Sequence, residues 1–184
     1  MSRQGDWMQT YTGRQFWPID PRAEEVDIND IAHALSNMCR FGGHVKSFYS
    51  VAEHSVRVSW LAGDDHEMAL AALLHDAAEA YVVDVPRPLK RFLPGYKEIE
   101  ARVARVIEER FALAPGVLDA PEIKHWDETL LATEARDIMG GQSAGKWSLL
   151  ATPLVDFIYP RSPKEAERSF LERFGELSAK VPPQ

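Results

Sequence analysis

The run Met68-Ala69-Leu70-Ala71-Ala72-Leu73-Leu74-His75-Asp76-Ala77-Ala78-Glu79-Ala80 sets an imidazole and a carboxylate side by side in a stretch dominated by alanine and leucine. Such a stretch belongs in an interior, where an ionisable side chain is costly unless it is paired or bound to a metal. Met68, Ala71, His75, Ala78 and Val82 follow helical spacing and put His75 on the apolar face. The segment therefore calls for a helix over about 66–83, other helices packed around it, and a partner for its buried charge.

The rest of the chain supplies those helices. Asp27 caps a first helix with the stripe Ile28, Ile31, Leu35 and Met38, and Gly42-Gly43 breaks the chain after it. A second helix is expected from Ser50 to Ala62, a fourth over 96–111 and a fifth over 122–139. Pro86, Pro88, Pro94 and Gly95 make 84–95 a loop or a set of short turns. Gly140 to Gly145 reads as a flexible loop, and Ser162-Pro163-Lys164-Glu165 as a capping box opening a last helix, about 163–178. Leu154 to Tyr159 is the one stretch that could pair as a short strand, and residues 1–26 read as an irregular lead-in. The expected architecture is an all-α, single-domain helical bundle over 1–184 with its core at about 28–139, a size that can bury a real core.

Composition narrows the function. A net charge of −7 without a compensating Lys/Arg cluster argues against nucleic acid as a partner but leaves small phosphorylated ligands open. The lone Cys39 forms no internal disulfide and fits a reducing compartment, as packing rather than as a reactive thiol. No signal-peptide pattern or membrane-length apolar run is present, so the expectation is a cytoplasmic protein without a membrane partner.

Ionisable residues recur on the apolar faces. His54 shares a face with Val51, Val58 and Leu61, His75 is as above beside Asp76, and Asp127 lies between Ile123 and Leu130. A single inward histidine is ordinarily a hydrogen-bonded core residue. Three helices that each carry an inward ionisable group suggest a mixed nitrogen and oxygen site for a divalent metal in the bundle interior. One lookalike fails: Gly140 to Trp147 reads G-x-x-x-x-G-K-W, and tryptophan stands where a phosphate loop needs a hydroxyl.

The order Glu53-His54-Ser55, His75-Asp76 and a later Asp127 resembles the signature of the HD-domain metal-dependent phosphohydrolases. The continuation Asp84-Val85-Pro86-Arg87-Pro88-Leu89-Lys90 and the upstream pair Arg40-Phe41 resemble the branch containing the bacterial 5′-deoxynucleotidases. The resemblance spans about 28–139. It implies His54, His75, Asp76 and Asp127 as ligands of a divalent ion (Mg, Mn, Co, Zn or Fe), with Asp119 and Asp137 as nearby alternatives to Asp127. It further implies Glu79 as the group that activates the attacking water, Asp84 as a second carboxylate, and Arg40 on the phosphate. Phe41 stands where the family keeps tryptophan, while His44, Lys46 and Lys90 could add charge near the phosphoryl group.

The expected activity is hydrolysis of a small phosphate ester, a nucleoside or deoxynucleoside 5′-monophosphate first. The alternatives are a deoxynucleoside triphosphate triphosphohydrolase, an HD-type di-iron oxygenase using the spare His33 and His125, and a non-catalytic metal or nucleotide sensor. Aromatic residues around 147–174 would either support a homodimer or pack the last helix onto the bundle.

Overall fold

In the computed structural model, residues 3–139 and 151–180 are described. A small hairpin of β1 (Met8–Gln9) and β2 (Gln15–Phe16) leads into eight α-helical segments among those residues. These are α1 (Ile28–Asn37), α2 (Val51–Trp60), α3 (His66–Leu74), α4 (Glu79–Val82), α5 (Arg87–Lys90), α6 (Tyr96–Arg110), α7 (Pro121–Asp137) and α8 (Pro163–Ser178).

Three helix starts follow from their caps. Asp27 accepts from the Asn29 amide, Ser50 from Glu53, and Ser162 and Glu165 bond reciprocally at the head of α8. In α3, Ala69 to Leu74 are all buried, so this helix is apolar on every side. It packs against α2 and α8 and also touches α7. Phe170 is fully buried and Phe174 meets Phe111 edge-on at 5.3 Å, so these two aromatics pack α8 onto the bundle. No helix among the described residues is long and apolar enough to cross a membrane.

The structure departs from the sequence reading in three places. The expected helix over 66–83 is interrupted: α3 stops at Leu74, and Ala77, Glu79 and Ala80 bond back three residues instead of four before and into α4. At the break, His75 Nδ1 donates to the Ala72 carbonyl at 2.8 Å. The only sheet among the described residues lies in the lead-in, not at 154–159. Residues 154–159 form no strand because side chains of α7 hold their backbone: Thr133 accepts from the Leu154 amide, Asp137 from Ile158, and Arg136 donates to the carbonyls of Leu154 and Asp156. The phosphate-loop lookalike and the expected flexible loop from Gly140 lie outside the described residues.

Candidate metal centre

The site begins with how each imidazole is held. His54 is fully buried in the second turn of α2, and its Nδ1 lies 2.7 Å from Glu134 Oε1. A carboxylate and a carbonyl only accept, so Glu134 and Ala72 make Nδ1 the protonated nitrogen of His54 and His75 respectively. Both Nε2 atoms then point inward, buried and without a hydrogen bond. The rings stand 5.3 Å apart between centroids.

Carboxylates converge on those two nitrogens. Asp76 Oδ2 is 3.2 Å from His75 Nε2 and 3.7 Å from His54 Nε2, and Asp127 Oδ1 is 3.2 Å from His54 Nε2. None of these approaches satisfies the nitrogens with a hydrogen bond, so each Nε2 faces carboxylate oxygens with no positive charge shown between them. That juxtaposition is repulsive unless a positive charge lies between them. The protein's own electrostatics say the same. Burial and Arg40 oppose protonation of His54, but Glu134 and Asp127 outweigh them and raise its pKa to about 9. Burial opposes ionisation of Asp76, yet His75, His54 and Arg40 hold its carboxyl well below the usual range. His54, His75 and Asp76 offer ligand atoms all within 4.8 Å of one another, and they can hold a metal ion. The neutral imidazole and carboxylate donors, each histidine fixed through its far nitrogen, fit a divalent transition metal.

Asp127 lies on α7 with its Oδ2 3.6 Å from Arg87. The two alternatives to it are engaged elsewhere. Asp119 is 83% exposed and pairs with Lys124, and Asp137 is bound by Arg136 and the Ile158 amide.

The loop between α1 and α2 is pinched by a β-bridge between Cys39 and Ser50, with Arg40 N bonded to the Tyr49 carbonyl and Val51 N to that of Met38. This neck delivers Arg40 to the site. Its Nε and Nη2 both reach Glu134 Oε2, at 3.2 and 3.0 Å, and Nη1 lies 3.6 Å from Asp76. Phe41 turns at φ 57° with the Arg40 guanidinium 5.2 Å over its ring.

The other candidates sit around this core. Glu79 opens α4 with Oε2 buried and unbonded; burial first, then Asp76 and Asp84, push its carboxyl well above the ordinary range. Asp84 is pushed up by burial and by Asp76, against Arg40 and Lys90. Lys90 pairs with Glu100 at 2.7 Å, and Lys46 donates to the Asp137 carbonyl, so each spends its charge on a protein partner. His44 is exposed on the α1–α2 loop, and His33 pairs with Glu167.

Two residues escaped the sequence reading. Glu134 is fully buried and ties His54 to Arg40. A signal existed: Ile123, Asp127, Leu130 and Glu134 continue one stripe at spacings of four, three and four. Arg87, 73% exposed at the mouth of the site, gave no such signal, because a solvated arginine between two prolines looks like any surface charge.

No family model matches the chain. The Escherichia coli (strain K12) protein YfdR is 43% identical over 176 residues, which is 94% of this chain and 96% of YfdR. A Rhodobacter capsulatus protein is 37% identical over 149 residues, 75% of this chain and 76% of that protein. Among solved structures, the cyanophage S-2L HD phosphohydrolase DatZ, bound to dA and one catalytic Zn2+ ion, aligns with a TM-score of 0.49 at 22% identity, covering 82% of this chain and 96% of that one. At that identity to YfdR, over nearly the whole of both chains, this chain belongs to the YfdR family.

Proposed function

We propose that this chain is a metal-dependent phosphohydrolase of the HD type, similar to the 5′-deoxynucleotidase branch, acting on nucleoside 5′-monophosphates. The observation that carries the reading is the pair of buried, unbonded Nε2 atoms of His54 and His75 set against Asp76 and Asp127. The ion would be held by these four residues. When bound, it supplies Lewis-acid polarisation of a phosphoryl oxygen and lowers the pKa of water.

The remaining work falls to the chain's own groups. Glu134 holds one edge of the Arg40 guanidinium, which leaves Nη1 to donate to a phosphoryl oxygen from a fixed position. Glu79 carries a carboxylate whose proton affinity is raised by burial and by Asp76, which suits Oε2 to accept the proton of an attacking water. The water oxygen forms a bond to phosphorus as its proton passes to Glu79, and the ester oxygen leaves with the bonding pair and takes up that proton, which restores the Glu79 carboxylate. Asp84 lies in the same field and would orient that water.

The supply of cations favours one phosphate over three. Lys90 is paired with Glu100 and Lys46 is bonded to the end of α7, while Arg40 Nη1 and Arg87, each 3.6 Å from a carboxylate of the centre, would meet the substrate there. The test is hydrolysis of ribo- and deoxynucleoside mono- and triphosphates by metal-stripped protein reconstituted with magnesium, manganese, cobalt, zinc or iron. Inorganic phosphate from monophosphates is the expected product. Intact triphosphate from deoxynucleotides would transfer the reading to a triphosphohydrolase, and no turnover with any metal would overturn it.

A further inference from the structure

The link between α4 and α5 turns at Val83 with φ 70° and ψ 148°. A positive φ is a true outlier for a β-branched residue, and this combination borders a region that glycine alone enters freely. Core burial does not compel it, since Val83 is 60% exposed. Hydrogen bonds to its backbone do. The Tyr96 hydroxyl donates to the Val83 carbonyl at 2.6 Å and lies 3.3 Å from the Val82 carbonyl. On the near side the Val83 amide donates to Glu79 at 2.8 Å, and on the far side the Asp84 amide meets Met38 Sδ at 3.3 Å.

Tyr96 stands in the first turn of α6, one turn before Glu100, which grips Lys90 at 2.7 Å. Lys90 Nζ in turn lies 5.3 Å over the Tyr96 ring. One face of α6 therefore straps both ends of the segment 83–90, which carries Asp84 and Arg87.

We propose that Tyr96 is a positioning residue: by holding the carbonyl of a turn that valine does not adopt unaided, it fixes Asp84 toward Glu79 and Asp76. The proposal rests on the hydrolase reading given above. Without the hydroxyl, Val83 relaxes to negative φ and the Asp84 carboxylate swings away from the site. Stiff valine resists positive φ and needs the hydroxyl bond to stay there, whereas glycine enters the same turn without strain.

The experiment compares Tyr96→Phe in three backgrounds: wild type, Asp84→Asn and Val83→Gly. In the wild-type background it lowers kcat about tenfold, with Mn2+ affinity by calorimetry unchanged. With Asp84→Asn already present, Tyr96→Phe adds less than about a twofold loss, because both act through the same carboxylate. With Val83→Gly, most of the lost kcat returns, because glycine takes the turn without the hydroxyl bond. A loss of kcat that is equal in all three backgrounds, or no loss at all, overturns the proposal.

Amide hydrogen exchange of the peptide spanning 79–92 keeps the two claims separate. If the wild-type protein hydrolyses no phosphate ester, the hydrolase reading fails alone. Faster exchange caused by Tyr96→Phe in wild type but not in Val83→Gly still supports the held turn, and equal exchange in both contradicts it.

Discussion

The floor of the site and its rim are built by different means. On the floor, His54, His75 and Arg40 each present one atom to Asp76 or Asp127 while another is fixed by a buried acceptor: Glu134 for His54 and Arg40, the Ala72 carbonyl for His75. On the rim, Asp84 and Arg87 ride a short segment held at its ends by Tyr96 and Glu100, and Arg87 itself is 73% exposed. A metal centre needs ligands fixed before the ion arrives, since its affinity depends on their alignment. A substrate contact gains from a side chain that can close after entry. The contrast between a buried floor and a strapped rim with an exposed tip predicts which quantity each substitution moves.

The largest effect belongs to the floor. Asp76→Ala removes a carboxylate within 3.7 Å of both imidazoles and should lower hydrolysis by more than about 1,000-fold together with the loss of bound metal, read by elemental analysis of the purified protein. Glu134→Gln sharpens the claim that the floor is held from behind. It keeps the shape but weakens the acceptor for His54 Nδ1, and metal affinity by calorimetry should fall about 10- to 100-fold. If Glu134→Gln bound metal as wild type does, the buried carboxylate would be structural only.

The rim should respond in KM. Arg87→Ala is expected to raise KM for a nucleoside monophosphate about tenfold with kcat and metal content near wild type. A fall in kcat with unchanged KM would place Arg87 in the chemistry and erase the distinction between the two regions.

The smallest effect separates two carboxylates of one helix. Asp137 lies one turn beyond Glu134 but is bound by Arg136 and the Ile158 amide instead of by His54 and Arg40. Burial pushes its carboxyl up, but these bonds prevail and hold it below the ordinary 3.8. Its contribution to stability is therefore present above that value and lost as pH falls through the depressed folded pKa. Asp137→Asn should cost about 2 kcal/mol at neutral pH by chemical denaturation, with kcat unchanged. The gap from wild type should close below about pH 4.

The sequence exposed the floor better than the rim, and the reason is burial. His54, His75 and Asp127 interrupt apolar stripes, so each stood out against its neighbours. Glu134 sat on the same stripe as Asp127 but was screened by the charged neighbours Arg136 and Asp137. The helix 66–83 was legible as a helix, yet its break was not, because a change from four-residue to three-residue bonding leaves no periodic signature in so apolar a run. The Val83 turn is hidden for a related reason. Valine there argues against positive φ, and only the Tyr96 hydroxyl, brought in by α6, overrules it.

The central claim is that His54, His75, Asp76 and Asp127 form one divalent-metal centre on which hydrolysis depends. The most direct test titrates metal-stripped wild type and His75→Gln with Mn2+ in a calorimeter and assays nucleoside monophosphate hydrolysis on the same samples. The account predicts one ion per chain for wild type, activity rising in step with occupancy, and neither binding nor activity for His75→Gln. Equal Mn2+ binding by His75→Gln, or hydrolysis by the metal-stripped wild type, would contradict it.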